Sequence, residues 1–143
     1  MKYSKIIIAI DDGPLADKIA LEGHELARQL EAEVALVSVA DSTFNMSEGN
    51  ITPSELLEII RNDFKKNHRI LIEHELHDDN VRSFVADGKP HEAIIRIATE
   101  WEADAIVIGT HGRTGLSRLV MGSVAESVLR HWTKATFVIP AKH

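Results

Sequence analysis

The chain has 143 residues, with 16 Lys and Arg against 22 Asp and Glu for a formal charge of −6, and no cysteine. That length buries a core without staples, the missing cysteines exclude disulfides, thiolate metal sites and cysteine nucleophiles, and the acidic balance argues against general nucleic-acid or anionic-membrane binding. No apolar run approaches the roughly 18 to 20 residues of a membrane span, and the apolar run 6–10 stops at Asp11 and Asp12, too short for an export signal, so the expectation is one cytoplasmic domain over 1–143.

Residues 6–10, Ile-Ile-Ile-Ala-Ile, are β-branched and apolar on both faces, which predicts a central parallel strand covered by helices above and below. Asp11, Asp12, Gly13 and Pro14 end it. Ala16, Ile19, Ala20, Gly23, Leu26, Ala27 and Leu30 follow three-four spacing, the stripe of a helix that lies on the sheet. Residues 34–39 form a second strand with Ser38 as its polar interruption, and 41–51 read as a loop. Thr52, Pro53, Ser54 and Glu55 start a helix, with threonine as N-cap, proline at the first helical position and glutamate three residues after the cap. Leu57, Ile60, Phe64 and Leu71 carry it to about Leu76, and residues 77–80 break it.

Residues 81–85 predict a third strand, more polar, as an edge position permits. Residues 87–90, Asp-Gly-Lys-Pro, are a turn, and Ala93, Ile94, Ile97, Ala98 and Trp101 mark the next helix. The fourth strand is 105–108. The last helix begins near Ser123, with Ala125, Val128, Leu129 and Trp132 as its stripe and Arg130, His131 and Lys134 toward its C-terminal end, where the dipole favours cations. Residues 136–139 are the fifth strand.

Strictly alternating strands and helices specify an α/β fold, a single open five-stranded parallel sheet with helices on both faces and right-handed crossovers. Ligands of such sheets sit at the carboxyl ends of the strands, where strand order reverses. Strands one and four are the most apolar and are the expected neighbours at that point, which delivers Asp11 and the loop from Gly109 to one place. That loop, 109–125, is glycine-rich and runs into a helix N-terminus. Glycine lets backbone amides approach a ligand, and the helix start offers unpaired donors for an anion. From 111 to 134 the chain carries Arg113, Arg118, Arg130 and Lys134 against Glu126 alone, a basic stretch in an acidic protein that suits a small anion. The loop has no lysine, so it is no Walker A motif, and it does not follow the first strand as a dinucleotide fingerprint would.

Gly109, two residues, Gly112, nine residues, Gly122 and then Ser123 make a Gly-x2-Gly-x9-Gly-Ser pattern that resembles the nucleotide-binding motif of the universal stress protein family, in its ATP-binding branch. The resemblance takes in the Asp-Gly-Lys-Pro turn and the block at 106–113, and covers essentially the full chain. It implies strand order 3-2-1-4-5 in an adenine nucleotide alpha hydrolase-like fold, and a homodimer through the last strand at 136–139. It also implies bound ATP, or AMP or ADP, with or without Mg²⁺, and an unknown protein partner. Position by position it implies that Asp11 and the backbone of Ala9 and Ile10 face adenine and ribose, as does the backbone of Val39. Gly109 and Gly112 would bring amides to ribose and phosphates, while Gly122, Ser123, Val124 and Ala125 would hold phosphate at the helix start. From the residues themselves, Arg113 and Arg118 offer charge-assisted contacts and His111 is the histidine inside the loop. Two positions depart from the pattern: Ala135 stands where a proline commonly opens the last strand, and Asp12 where a small or apolar residue is common.

Without the resemblance, a glycine loop can be only a tight connection and Asp11 only a cap for the first helix. His68, His74 and His77 are spaced by six and three, which does not put them on one helical face, so they read as solvated and no metal site is expected. Asp78 and Asp79 read as a solvated turn, and Trp101 and Trp132 as core residues. Ser123 shows no histidine and acid at catalytic spacing, so no catalytic residue is assigned. The expected function is a cytoplasmic ATP-binding regulatory protein of the stress response. The alternatives are a slow ATP hydrolase or nucleotide-transfer enzyme with Asp11 or Asp12 on metal and Arg113 or Arg118 against developing charge, and a dimeric interaction module with a vestigial pocket.

Overall fold

A computed structural model describes residues 2–43, 51–110 and 121–140. Its five parallel strands, β1 (Lys5–Ala9), β2 (Glu33–Asp41), β3 (Arg82–Gly88), β4 (Ala105–Gly109) and β5 (Ala135–Ile139), lie in the order β3-β2-β1-β4-β5. The helices are α1 (Ala16–Gln29), α2 (Pro53–Ile70), α3 (Pro90–Glu100) and α4 (Ser123–His131). The expected sheet and order are therefore present, with β1 and β4 as neighbours in the register Ile6↔Ala105 to Ala9↔Ile108. Strand order reverses between them.

Alternate residues of the central strands feed two cores. Ile6, Ile8, Ile10, Leu36 and Val107 face α1, while Ile7, Ala9, Ala35, Val37, Ile106 and Ile108 face α3 and α4. Ile6, Ile7 and Ile8 are wholly buried, each stabilising the fold by about 1.5–3 kcal/mol relative to exposure, which is why this strand takes the sheet's centre. α1 reaches the sheet over Gly23, where an added Cβ would stand 2.8 Å from Ile8 Cδ1. α2 lies across β2 and β3 and begins as its sequence indicates, with the Glu55 amide donating to Thr52 Oγ1 at 3.2 Å.

Three boundaries differ from expectation. α2 does not run on to Leu76: from Leu71 to Leu76 the chain is a π-helix, whose i to i+5 hydrogen bonds bring the buried Leu71 and Leu76 onto one side. β3 does not stop at Val85, because β2 continues to Asp41 and offers pairing as far as Asp41↔Gly88. The turn expected at 87–90 is thus replaced by strand, then by Gly88 at φ 133°, a region open to glycine, and Pro90 in the first turn of α3. The histidines divide: His74 and His77 are exposed, but His68 and His24 are buried. His68 was expected in solvent, yet it continues the stripe of Phe64 and Leu71 and turns inward. Asp78 is not a purely solvated turn residue either, since its Oδ2 lies 2.9 Å from His24 Nε2.

Candidate functional site

The carboxyl ends of β1, β2 and β4 come together where the order reverses. Past Ala9 the chain leaves the sheet through Ile10 and Asp11. Asp11 Oδ1 accepts from the Gly13 amide at 2.8 Å, while the N-cap position of α1 is Leu15 and has no side-chain cap. Asp11 therefore shapes the exit from β1 and is not the cap of α1.

β2 outruns β1. The Ile10 amide donates to the Val37 carbonyl at 3.0 Å, the last rung between the two strands. Peptide groups two residues apart in a strand face the same way, so the N–H and C=O of Val39 also point toward β1, where β1 has departed. On the other side the ladder with β3 continues through Val39↔Ala86 to Asp41↔Gly88. Among the described residues no strand lies beside the Val39 peptide edge, and Val39 is half-buried.

Beneath this edge is a polar chain in an apolar setting. Ser38 Oγ donates to the Ile10 carbonyl at 2.7 Å and lies 2.7 Å from His68 Nε2, while His68 Nδ1 lies 2.7 Å from Ser83 Oγ. Ser38 is 1% exposed and His68 0%, and burial lowers the imidazole to about 4, so it is neutral at physiological pH. The single Ser38 proton goes to the carbonyl, so His68 Nε2–H must donate to Ser38 Oγ, and bare Nδ1 accepts from Ser83. Ile10, Asp11, Ser38, Asn67, His68 and Glu75 are among the residues that line a cavity of about 230 Å³ here.

From β4 the chain reaches Thr110, whose amide donates to the Ile139 carbonyl at 2.9 Å, and the Gly122 amide donates to the Thr110 carbonyl at 2.6 Å. Thr110 and Gly122 thus lie side by side at this end of the sheet. Gly122 is the N-cap of α4, with extended backbone (ψ 154°) and no side-chain cap, and its carbonyl accepts the Glu126 amide at 3.0 Å. The amides of Ser123, Val124 and Ala125 are first-turn donors without intrahelical acceptors, at the positive end of the helix dipole. They face the same end of the sheet as Gly109, the last residue of β4.

Of the residues expected at the site, Ala9, Ile10, Asp11, Val39, Gly109, Gly122, Ser123, Val124 and Ala125 are placed at these strand ends and this helix start. His111, Gly112, Arg113 and Arg118 lie outside the described residues. The basic character expected of the loop is partly spent elsewhere: Arg130 pairs with Glu126 at 2.8 Å, and Lys134 donates to the Ala103 carbonyl at 3.2 Å. Both lie toward the other end of α4, roughly 13 Å from its start. Ser38, His68 and Ser83 were not anticipated at the site. Among the described residues no three His, Cys, Asp or Glu side chains stand together to hold a metal ion, and no helix is long and apolar enough to cross a membrane.

The universal stress protein family model matches residues 2–140. The chain belongs to the universal stress protein family. It is similar to the universal stress protein MJ0577 of Methanocaldococcus jannaschii, 31% identical over 158 residues that take in 99% of this chain and 97% of that one. The solved structure of MJ0577 aligns with a TM-score of 0.75 at 28% identity over 100% of this chain and 99% of that one. Universal stress protein UspA from Lactobacillus plantarum shares the fold with a TM-score of 0.85 at 23% identity, covering 97% of this chain and 99% of its own. A universal stress protein from Archaeoglobus fulgidus, solved in complex with dAMP, shares it with a TM-score of 0.63 at 22% identity over 97% of this chain and 99% of that one.

Proposed function

We propose that this chain is a cytoplasmic adenine-nucleotide-binding regulatory protein of the stress response, holding ATP, ADP or AMP across the carboxyl ends of β1, β2 and β4 and changing its contacts with a protein partner accordingly. The observation that carries the reading is the placement of the uncapped start of α4 at the reversal point of the sheet, where its amides face the position an anion takes. Phosphate sits on Ser123, Val124 and Ala125, with Gly109, Gly112 and Gly122 admitting the backbone and Arg113 and His111 reaching the same group. Asp11, with the Ala9 and Ile10 backbone, meets the ribose.

The base lies along Val39. One peptide edge presents a donor and an acceptor side by side, the complement of adenine N1 and its 6-amino group; guanine offers the opposite order on that edge. The dAMP held by the Archaeoglobus fulgidus relative supports an adenine ligand for this fold. The described residues form no cage for Mg²⁺, so any such ion would be held chiefly by the phosphates it accompanies.

The chemistry supported is retention, since the described residues supply a cradle and no base aligned on a nucleophile. Calorimetric titration with ATP, AMP and GTP tests the reading. Binding of ATP tighter than about a millimolar, about tenfold weaker binding of GTP, and loss of ATP binding in Gly122→Val are expected. Ser123→Ala, which keeps the amide, is expected to weaken ATP by only severalfold. Absence of ATP binding in the wild-type protein would sink the proposal, and steady-state phosphate release abolished by Asp11→Ala would replace it with the hydrolase reading.

A further inference from the structure

In a regular parallel ladder the rung after Ile10 N–H to Val37 C=O is Val39 N–H to Ile10 C=O. That rung is not formed. Instead the Ile10 carbonyl accepts from Ser38 Oγ at 2.7 Å, and among the described residues the Val39 amide has no acceptor. Ser38 interrupts the apolar run 34–40 of β2, and its hydroxyl is wholly committed: proton to Ile10, lone pair to His68 Nε2–H. His68 is in turn fixed by Ser83 on β3.

We infer that Ser38 and His68 are positioning residues that divert the Ile10 carbonyl from the strand ladder and so keep the Val39 amide open to the base of the nucleotide. The inference rests on the adenine reading of Val39. A strand edge beside a neighbour closes on itself by default, because an unpaired N–H and C=O within reach of one another gain about 0.5–1.5 kcal/mol by pairing. The hydroxyl competes for the carbonyl from inside the core. His68 strengthens it as a donor by donating to the same oxygen. Without that pair, Ile10 and Val39 complete the ladder, and the edge that reads the base becomes ordinary sheet.

Amide hydrogen exchange followed residue by residue by NMR tests this directly. In the ligand-free wild-type protein the Val39 amide is expected to exchange at least about tenfold faster than the paired amides of Val37 and Ala40. In Ser38→Ala it should become slower, although the variant has lost a hydrogen bond, and AMP affinity should fall roughly 3- to 10-fold, the worth of one such bond. His68→Phe, which keeps a ring but loses the Nε2–H, should behave in the same direction. His68→Gln, which restores an N–H toward Ser38, should return AMP affinity to within about twofold of wild type.

A merely structural role would make Val39 exchange faster in Ser38→Ala, and that result overturns the inference, as does a Val39 amide as protected as its neighbours in the wild-type protein, a measurement that needs no variant. AMP binding left unchanged by Ser38→Ala and His68→Phe overturns the inference alone. A wild-type protein with an open Val39 amide and no AMP binding overturns the adenine reading, and the purpose assigned to the pair with it.

Discussion

His68 contributes to the acid side of the stability profile. Its imidazole is held near 4 by burial against an ordinary 6.5, so the unfolded chain takes up a proton that the native protein refuses. Stability is therefore complete above about pH 6.5 and falls as the pH drops toward 4, by about 3 kcal/mol over the whole window. Asp78 acts lower on the scale. The bond from His24 holds its carboxyl below the ordinary 3.8, and its contribution is lost only as that group protonates. Thermal melts of the wild-type protein at pH 7 and pH 5 are expected to show a clear drop that His68→Gln abolishes. The sequence carried the signal for His68 in two places, a serine inside an apolar strand and a histidine in step with Phe64 and Leu71 on a helical stripe. Each is unremarked alone. Only the fold brings residues 30 apart within 2.7 Å, which is why the pair was not legible, whereas the glycines and Ser123 stand in one motif that is read along the chain.

At the scale of elements, the seating of α1 depends on a missing side chain. An alanine at Gly23 would place Cβ 2.8 and 2.9 Å from two atoms of Ile8 and 3.2 Å from Val107. Ala favours a helix interior over Gly by about 1 kcal/mol, yet overpacking against a buried strand costs about 1–3 kcal/mol. Ile8 is fully buried at the centre of the sheet and has nowhere to retreat, so the second effect wins. Gly23→Ala is expected to lower the denaturation midpoint in urea, and an unchanged or raised midpoint would show that α1 can ride outward. The elements themselves were readable because their periods differ: continuous apolar runs for buried strands, three-four spacing for helices, and Thr52 with Glu55 for one start. Their ends were less so. β3 is lengthened by its partner's overhang, and α2 changes its winding at Leu71, since both depend on a neighbour rather than on local propensity.

Taken whole, the molecule ends its sheet on one side in β5. Every residue of β5 is only half-buried, its outer edge has no strand beside it among the described residues, and Phe137 meets Tyr3 edge to face with ring centroids 5.8 Å apart. An apolar edge strand left so is a pairing surface, and a homodimer through β5 is our proposal for what covers it. Sedimentation velocity is expected to show a dimer that Phe137→Asp converts to a folded monomer; a wild-type monomer at micromolar concentration would refute it. The opposite property holds at the other end of β4. Thr110 and Gly122, with eleven positions between them in sequence, are joined by a backbone hydrogen bond. Doubling such a loop costs only about 0.6 kcal/mol in closure entropy. A change of length between these two residues therefore leaves in place the bond that joins them, and with it the start of α4 that offers the amides of Ser123, Val124 and Ala125.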